Sequence, residues 1–184
     1  MKQCVSQCFL CKIREFCTPQ VLRSLYFSLF YSHLTYCISV WGKSADTYMH
    51  KLKLAQKQIV RALTFSEYRT PSKPLLKELA FLDLDDLYGY QIASIMWDYD
   101  HGNLPSTLST LFKRREATHN RNLRYTKNHE LYTAHRYNKR HGFNSFSHHG
   151  ALILNELKGI PFYCEAKSKK IFLNQYKNTI LESY

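Results

Sequence analysis

The sequence predicts an all-α protein: a helical bundle with a basic, largely irregular arm and a C-terminal amphipathic helix. Three observations predict it. The 184 residues hold only six Gly and five Pro, too few for a turn-dense sheet fold. Hydrophobic residues make up 45%, enough to build a core and too many for wholesale disorder. Apolar positions recur at steps of three and four through most of the chain, the period of a helix with one buried face.

The elements follow in order. Thr18-Pro19 is a helix start, an N-cap followed by Pro at the first helical position. Leu22, Leu25, Tyr26, Leu29, Phe30 and Leu34 then keep helical spacing, continued by Cys37, Val40 and Trp41 and stopped at Gly42 as a C′ residue. A second helix opens near Ser44 or Asp46. Its apolar ridge is Met49, Leu52, Gln56, Ile59 and Leu63; its basic ridge is His50, Lys53, Lys57 and Arg61. Residues 65–73 read as a loop, and Pro74 opens a short helix. Asp83 and Asp85 suit the start of another, from about Leu87 to His101, ended by Gly102, Asn103 and Pro105. Ser106 to Phe112 is a short amphipathic piece. Lys113 to Gly150 is basic, rich in His and Asn and poorly periodic, so it reads as the irregular arm, with short strands allowed near Leu123–Tyr125 and Leu131–Thr133. Ala151 to Leu157 forms a short helix closed by Gly159 and Pro161. Glu165 to Leu181 is the final helix, burying Ile171, Phe172, Tyr176 and Ile180 and exposing Lys167, Lys170 and Lys177.

Charge points to the partner. The net charge is +12, and it is uneven: residues 1–64 carry nine Lys/Arg against two Asp/Glu, and residues 112–150 repeat that balance. Residues 65–111 reverse it, with three against seven. A chain so basic repels itself unless it meets a polyanion, and nucleic acid is the commonest one. On the second helix Lys53, Lys57 and Arg61 share the face opposite the apolar ridge, the geometry for packing on a bundle while contacting phosphates. Arg114, Arg115, Arg121, Arg124, Arg136, Lys139 and Arg140 of the arm would add diffuse contacts. Tyr125, Tyr132 and Tyr137 are candidate faces for stacking on unpaired bases.

Other function classes find little support. Cys4, Cys8, Cys11 and Cys17 sit on or beside one helix, without the two separated knuckles of a structural zinc site, and read as small core residues. No signal-peptide pattern precedes them, so the thiols are expected to be reduced and the protein intracellular, nuclear or cytoplasmic and not secreted. Ser24 to Gly42 has no formal charge and approaches the span of a bilayer, but its Ser, Thr, His and Tyr groups suit a buried helix pair instead. No HExxH, GxSxG or Walker-type loop occurs. Asp85-Asp86 opens a helix rather than a hairpin, so the pair reads as helix N-terminal charge, not as a metal-binding carboxylate pair. No cofactor, metal, small-molecule substrate or membrane partner is expected, and the oligomeric state is left open.

The order of motifs resembles a known family. Leu22–Ser44, through Leu25, Tyr26, Ser28, Leu29, Phe30, His33, Leu34, Tyr36, Trp41 and Gly42, is similar to the segment following the palm in jockey-like, non-LTR (LINE-type) retrotransposon reverse transcriptases. Leu52, Gln56, Lys57, Val60 and Arg61 fit that family's next helix, PLLKELAFLDLDDLYGYQ resembles the segment after it, and His119–Asn122 echo a later motif. The likeness is weaker toward the end, where Leu154 stands at the family's Trp and the Leu-Pro step is stretched from Leu157 to Pro161. The resemblance implies a helical, thumb-like domain over 1–112 and a basic C-terminal extension over 113–184. It implies a grip on template and primer, RNA and DNA together as a hybrid, in a region of an RNA-directed DNA polymerase lacking the catalytic palm and the endonuclease. By that reading the chain is no enzyme on its own and is an open reading frame from a truncated element copy. An inert remnant, or a protein-interaction module, is the alternative.

Overall fold

A computed structural model describes Leu10, residues 12–112, Tyr132, Ala134 and residues 137–184. The protein is all-helical, with no strand among the described residues. It divides into two compact units, Met1–Tyr88 with Lys177–Tyr184, and Gly89–Tyr176. Among the described residues no helix is long and apolar enough to cross a membrane.

The first unit is built on an unusual helix. Helix α1 (Pro19–Tyr26) starts where the Thr18-Pro19 pair predicts, passes into a π-helical turn (Phe27–Tyr31) and continues as α2 (Ser32–Thr35). The buried side chains are Leu22, Tyr26, Phe30, Leu34 and Ile38, each four residues from the last. A pure α-helix would rotate such a row out of line by about 40° per step. The π turn, in which the Ser32 amide donates to the Phe27 carbonyl, takes up the surplus and keeps the row on one face. The helix then breaks at Tyr36–Cys37, with Cys37 in the left-handed region at φ 50°, before α3 (Ile38–Trp41). That break rotates the face. Ile38 takes the buried position, while Cys37 and Val40, expected to continue the apolar run, are exposed.

Helix α4 (Asp46–Leu63) packs against α1 and against α5 (Ser72–Leu79). Tyr26 stacks on Phe81 with centroids 4.4 Å apart, and Arg23 covers the same ring at 4.8 Å while donating to the Leu79 carbonyl. Burial pushes the Tyr26 phenol well above its ordinary range and the Tyr88 phenol up to about 12. Gln56, the polar member of the apolar ridge, is buried and donates to the Leu82 carbonyl at 2.8 Å.

Helices α4 and α5 end alike. Ser66 N–H donates to Arg61 O and Phe65 N–H to Ala62 O; Phe81 N–H donates to Leu76 O and Ala80 N–H to Lys77 O. These are Schellman closures, which need a left-handed residue at C′, normally Gly. Phe65 (φ 53°) and Ala80 (φ 54°) hold that position instead. A left-handed Cβ costs roughly 1–2 kcal/mol, partly offset by the greater freedom Gly would have when unfolded. Ala80→Gly is therefore expected to stabilise the first unit by about 0.5–1 kcal/mol, read as a higher urea midpoint at unchanged slope.

Helix α6 (Leu84–Asp100) opens three residues before the position the sequence suggests, because Asp83 caps it, its Oδ1 accepting from Leu84 N–H at 2.7 Å. Asp85 and Asp86 lie in its first turn, as read from the sequence. Asp85 pairs with Lys53, and Asp86 accepts from the Tyr184 hydroxyl, which itself accepts from Asp83 N–H at 2.8 Å.

In the second unit, α6 ends at Gly102 with the same closure, here on a true glycine at φ 70°. Helices α7 (Ser106–Ser109) and α8 (Arg140–Phe143) are short. Helix α9 (Phe146–Lys158) starts five residues earlier than expected, with Ser145 as N-cap accepting from His148 N–H. The described end of the expected irregular arm is therefore helical. The final segment is two helices, α10 (Pro161–Glu165) and α11 (Lys169–Glu182), because Ser168 Oγ accepts from Ile171 N–H and starts α11 late. Phe172 is buried there, whereas Ile171, expected inside, is 47% exposed. Trp97, Tyr163 and Phe172 form the aromatic heart of this unit, and Lys158 and Lys169 pair with Asp100 and Asp98.

Candidate nucleic-acid interface

The basic face expected on α4 is present, and the structure uses its members differently. Met49, Gln56, Ile59 and Leu63 turn inward as the ridge requires, joined by Ala55, Val60 and Ala62. On the other side His50 is exposed, and Lys53, Lys57 and Arg61 are half-buried at successive turns. Lys53 is committed to Asp85, so its charge is already matched at the surface. Arg61 donates from Nε to the Thr70 carbonyl at 2.9 Å, and its guanidinium sits 5.8 Å from the Tyr68 ring. Lys57, between them, has no ion pair among the described residues and is the cation of the ridge open to a phosphate.

The arm residues divide less favourably. Arg114, Arg115, Arg121, Arg124, Arg136 and Tyr125 lie outside the described residues, as does the side chain of Arg140, whose backbone opens α8. Lys139 is exposed. Tyr132, expected to offer a stacking face, is 2% exposed. Its ring meets Tyr99 edge-on at 5.4 Å, and its backbone is clamped on both sides by the Asn155 amide, at 2.8 and 3.0 Å. Internal packing removes it from the candidates. Tyr137 is half-buried, its ring edge-on to Phe143 and His148, with the Ser147 hydroxyl 3.4 Å from its own.

Sequence reasoning missed a group that the structure assembles at the C-terminal end of α4. Arg14, Gln58, Arg61, Glu67 and Tyr68 line an open cleft of about 510 Å³. Arg14 lies 5.8 Å from the ring of Phe65 and Arg61 5.8 Å from that of Tyr68, so each guanidinium of the cleft has an aromatic ring beside it. The rings are 52% and 76% exposed. The available signal was the run Phe65-Ser66-Glu67-Tyr68-Arg69, aromatics interleaved with charge directly after an amphipathic helix. Arg14 had no signal, being brought there only by the fold.

Among the described residues no group of three His, Cys, Asp or Glu is placed to hold an ion. Cys4, Cys8 and Cys11 lie outside those residues, and Cys17 is half-buried. No family model, no curated protein and no solved structure matches this chain.

Proposed function

We propose that this chain is the nucleic-acid-gripping, thumb-like region of a non-LTR retrotransposon reverse transcriptase, binding template and primer without carrying out the chemistry. The reading rests on the resemblance of the first hundred residues, and one structural observation carries it. Helix α4 buries Met49, Gln56, Ile59 and Leu63 on one face, with Leu52 half-buried among them, and leaves Lys57 on the other, with Lys53 and Arg61 a turn away on either side. The net charge of +12 supports the same class of partner. In such a protein the palm would supply the metal-binding carboxylates, and this region would hold the duplex by its backbone. Contacts of that kind are tolerant of sequence and fall steeply with salt.

Fluorescence anisotropy of the full chain with a labelled RNA–DNA hybrid, at two salt concentrations, tests the reading. Binding that weakens strongly with salt is expected. Lys57→Glu is expected to lower affinity about tenfold and to flatten the salt dependence, the signature of a lost phosphate contact. Unchanged affinity in that variant would remove the α4 face from the interface. No binding at low salt, from a folded sample, would leave an inert remnant.

A second reading, a protein-interaction module, is favoured by Tyr36, Val40 and Tyr48, which are 75%, 80% and 68% exposed. Its mark would be concentration-dependent self-association without nucleic acid.

A further inference from the structure

We propose that the cleft at the C-terminal end of α4 holds one unpaired nucleotide, its base against Tyr68 and its phosphate against Arg14. The inference rests on the nucleic-acid reading above and adds a site with a different ligand class: a single strand rather than a duplex. Four observations carry it. The cleft, at about 510 Å³, is of a size ordinary for small-ligand sites. Its walls hold two guanidiniums and one carboxylate, from Arg14, Arg61 and Glu67, a positive balance suited to one phosphate. Tyr68 is 76% exposed, and Arg61 lies 5.8 Å from its ring, so the ring is held by the guanidinium while remaining largely open to solvent. Stacking of a base on such a ring is tolerant of sequence because every base has a π-face.

The fourth observation is Phe65. It occupies the left-handed C′ position of the α4 closure, where Gly would fit without strain. A bulky side chain there gains little from burial, since half of it is exposed. What it does is bring an aromatic ring to 5.8 Å from Arg14, a residue of the cleft wall. That ring adds a second aromatic face beside the Arg14 guanidinium for a nucleotide bound there. Gln58, half-buried in the cleft wall, offers an amide donor and acceptor to a base edge or sugar.

The test uses the full chain and two probes: a single-stranded DNA oligonucleotide containing 2-aminopurine, whose fluorescence falls on stacking, and the RNA–DNA hybrid. Wild type is expected to bind the single strand with quenching. Tyr68→Ala should lower single-strand affinity about tenfold and abolish the quench, and Tyr68→Phe should restore both. Hybrid affinity should be unchanged in either variant. Phe65→Gly should raise the unfolding midpoint and still weaken single-strand binding, an outcome that misfolding cannot produce. If Tyr68→Ala binds and quenches like wild type, the cleft proposal is overturned while the duplex grip stands. If folded wild type binds neither probe, both readings fall together.

Discussion

Phe172→Ala is expected to destabilise the unit Gly89–Tyr176 by about 3–5 kcal/mol, the range for removing a fully buried aromatic ring. Phe172 has no exposed surface. Its ring stacks on Trp97 at 4.8 Å with planes 15° apart, receives the edge of Tyr163 at 5.2 Å and lies 5.7 Å from Tyr176. Trp97 is itself stacked on His101 at 4.1 Å, so removing Phe172 takes an inner ring from a column of four, His101, Trp97, Phe172 and Tyr176. Each such ring pair adds about 0.5–1.5 kcal/mol beyond the area it buries. Tyr163 cannot slide in to fill the gap without leaving Asp100, to which its hydroxyl donates at 3.1 Å. Urea unfolding followed by tryptophan fluorescence reports the change directly, because Trp97 is one of only two tryptophans. Ile171→Ala, one residue away and 47% exposed, is the matched comparison and should cost under about 1 kcal/mol. Equal losses at the two positions would contradict the packing described here.

Gly42→Ala should be nearly as damaging in the other unit, by about 2–3 kcal/mol, through crowding rather than lost contact. A Cβ at this position would stand 2.4 Å from Tyr88 Cδ2 and 2.6 Å from the Ile38 carbonyl oxygen. A ring can repack, but the carbonyl is fixed, since it accepts the Gly42 N–H at 2.7 Å. The backbone is ordinary, with φ −63°, so conformational freedom is not the reason for glycine. Gly89→Ala, where nothing lies within 4 Å of the added carbon, separates crowding from a general effect of filling glycines. A Gly42→Ala protein with wild-type urea midpoint would show that Tyr88 does not sit where it is described.

These residues also mark what the sequence could and could not disclose. Gly42 was legible as a stop after the apolar run, but the reading assigned it a left-handed turn; the true cause is a neighbour 46 positions away, which periodicity cannot reveal. Gly102 was legible because glycine advertises the closure it makes. The identical closures at Phe65 and Ala80 were not, since nothing in those residue types suggests positive φ. The buried row from Leu22 to Leu34 followed from spacing, but neither the π turn that keeps it aligned nor the break that puts Ile38 inside in place of Cys37 did. The start of α9 is hidden in the sequence because Asn144, His148 and His149 carry no apolar period, although Ser145 is an ordinary cap. At the candidate interface, the α4 ridge was visible because it lies on one element. The Lys53–Asp85 pair and the Arg14–Phe65 contact join segments 32 and 51 residues apart and were invisible for that reason.

The division of the chain has a consequence for how it is made. The first unit gains its C-terminal contacts when Tyr184 reaches Asp83 and Asp86 and the Glu182 carbonyl reaches Lys77. Those partners are separated on the ribosome by the whole of Gly89–Tyr176. At about 5–20 residues per second, roughly 4–20 s of synthesis pass between them. Throughout that interval Asp83 and Asp86 have been synthesised without the tyrosine that joins them. The first unit therefore receives its last contacts only after the whole of Gly89–Tyr176 has been synthesised.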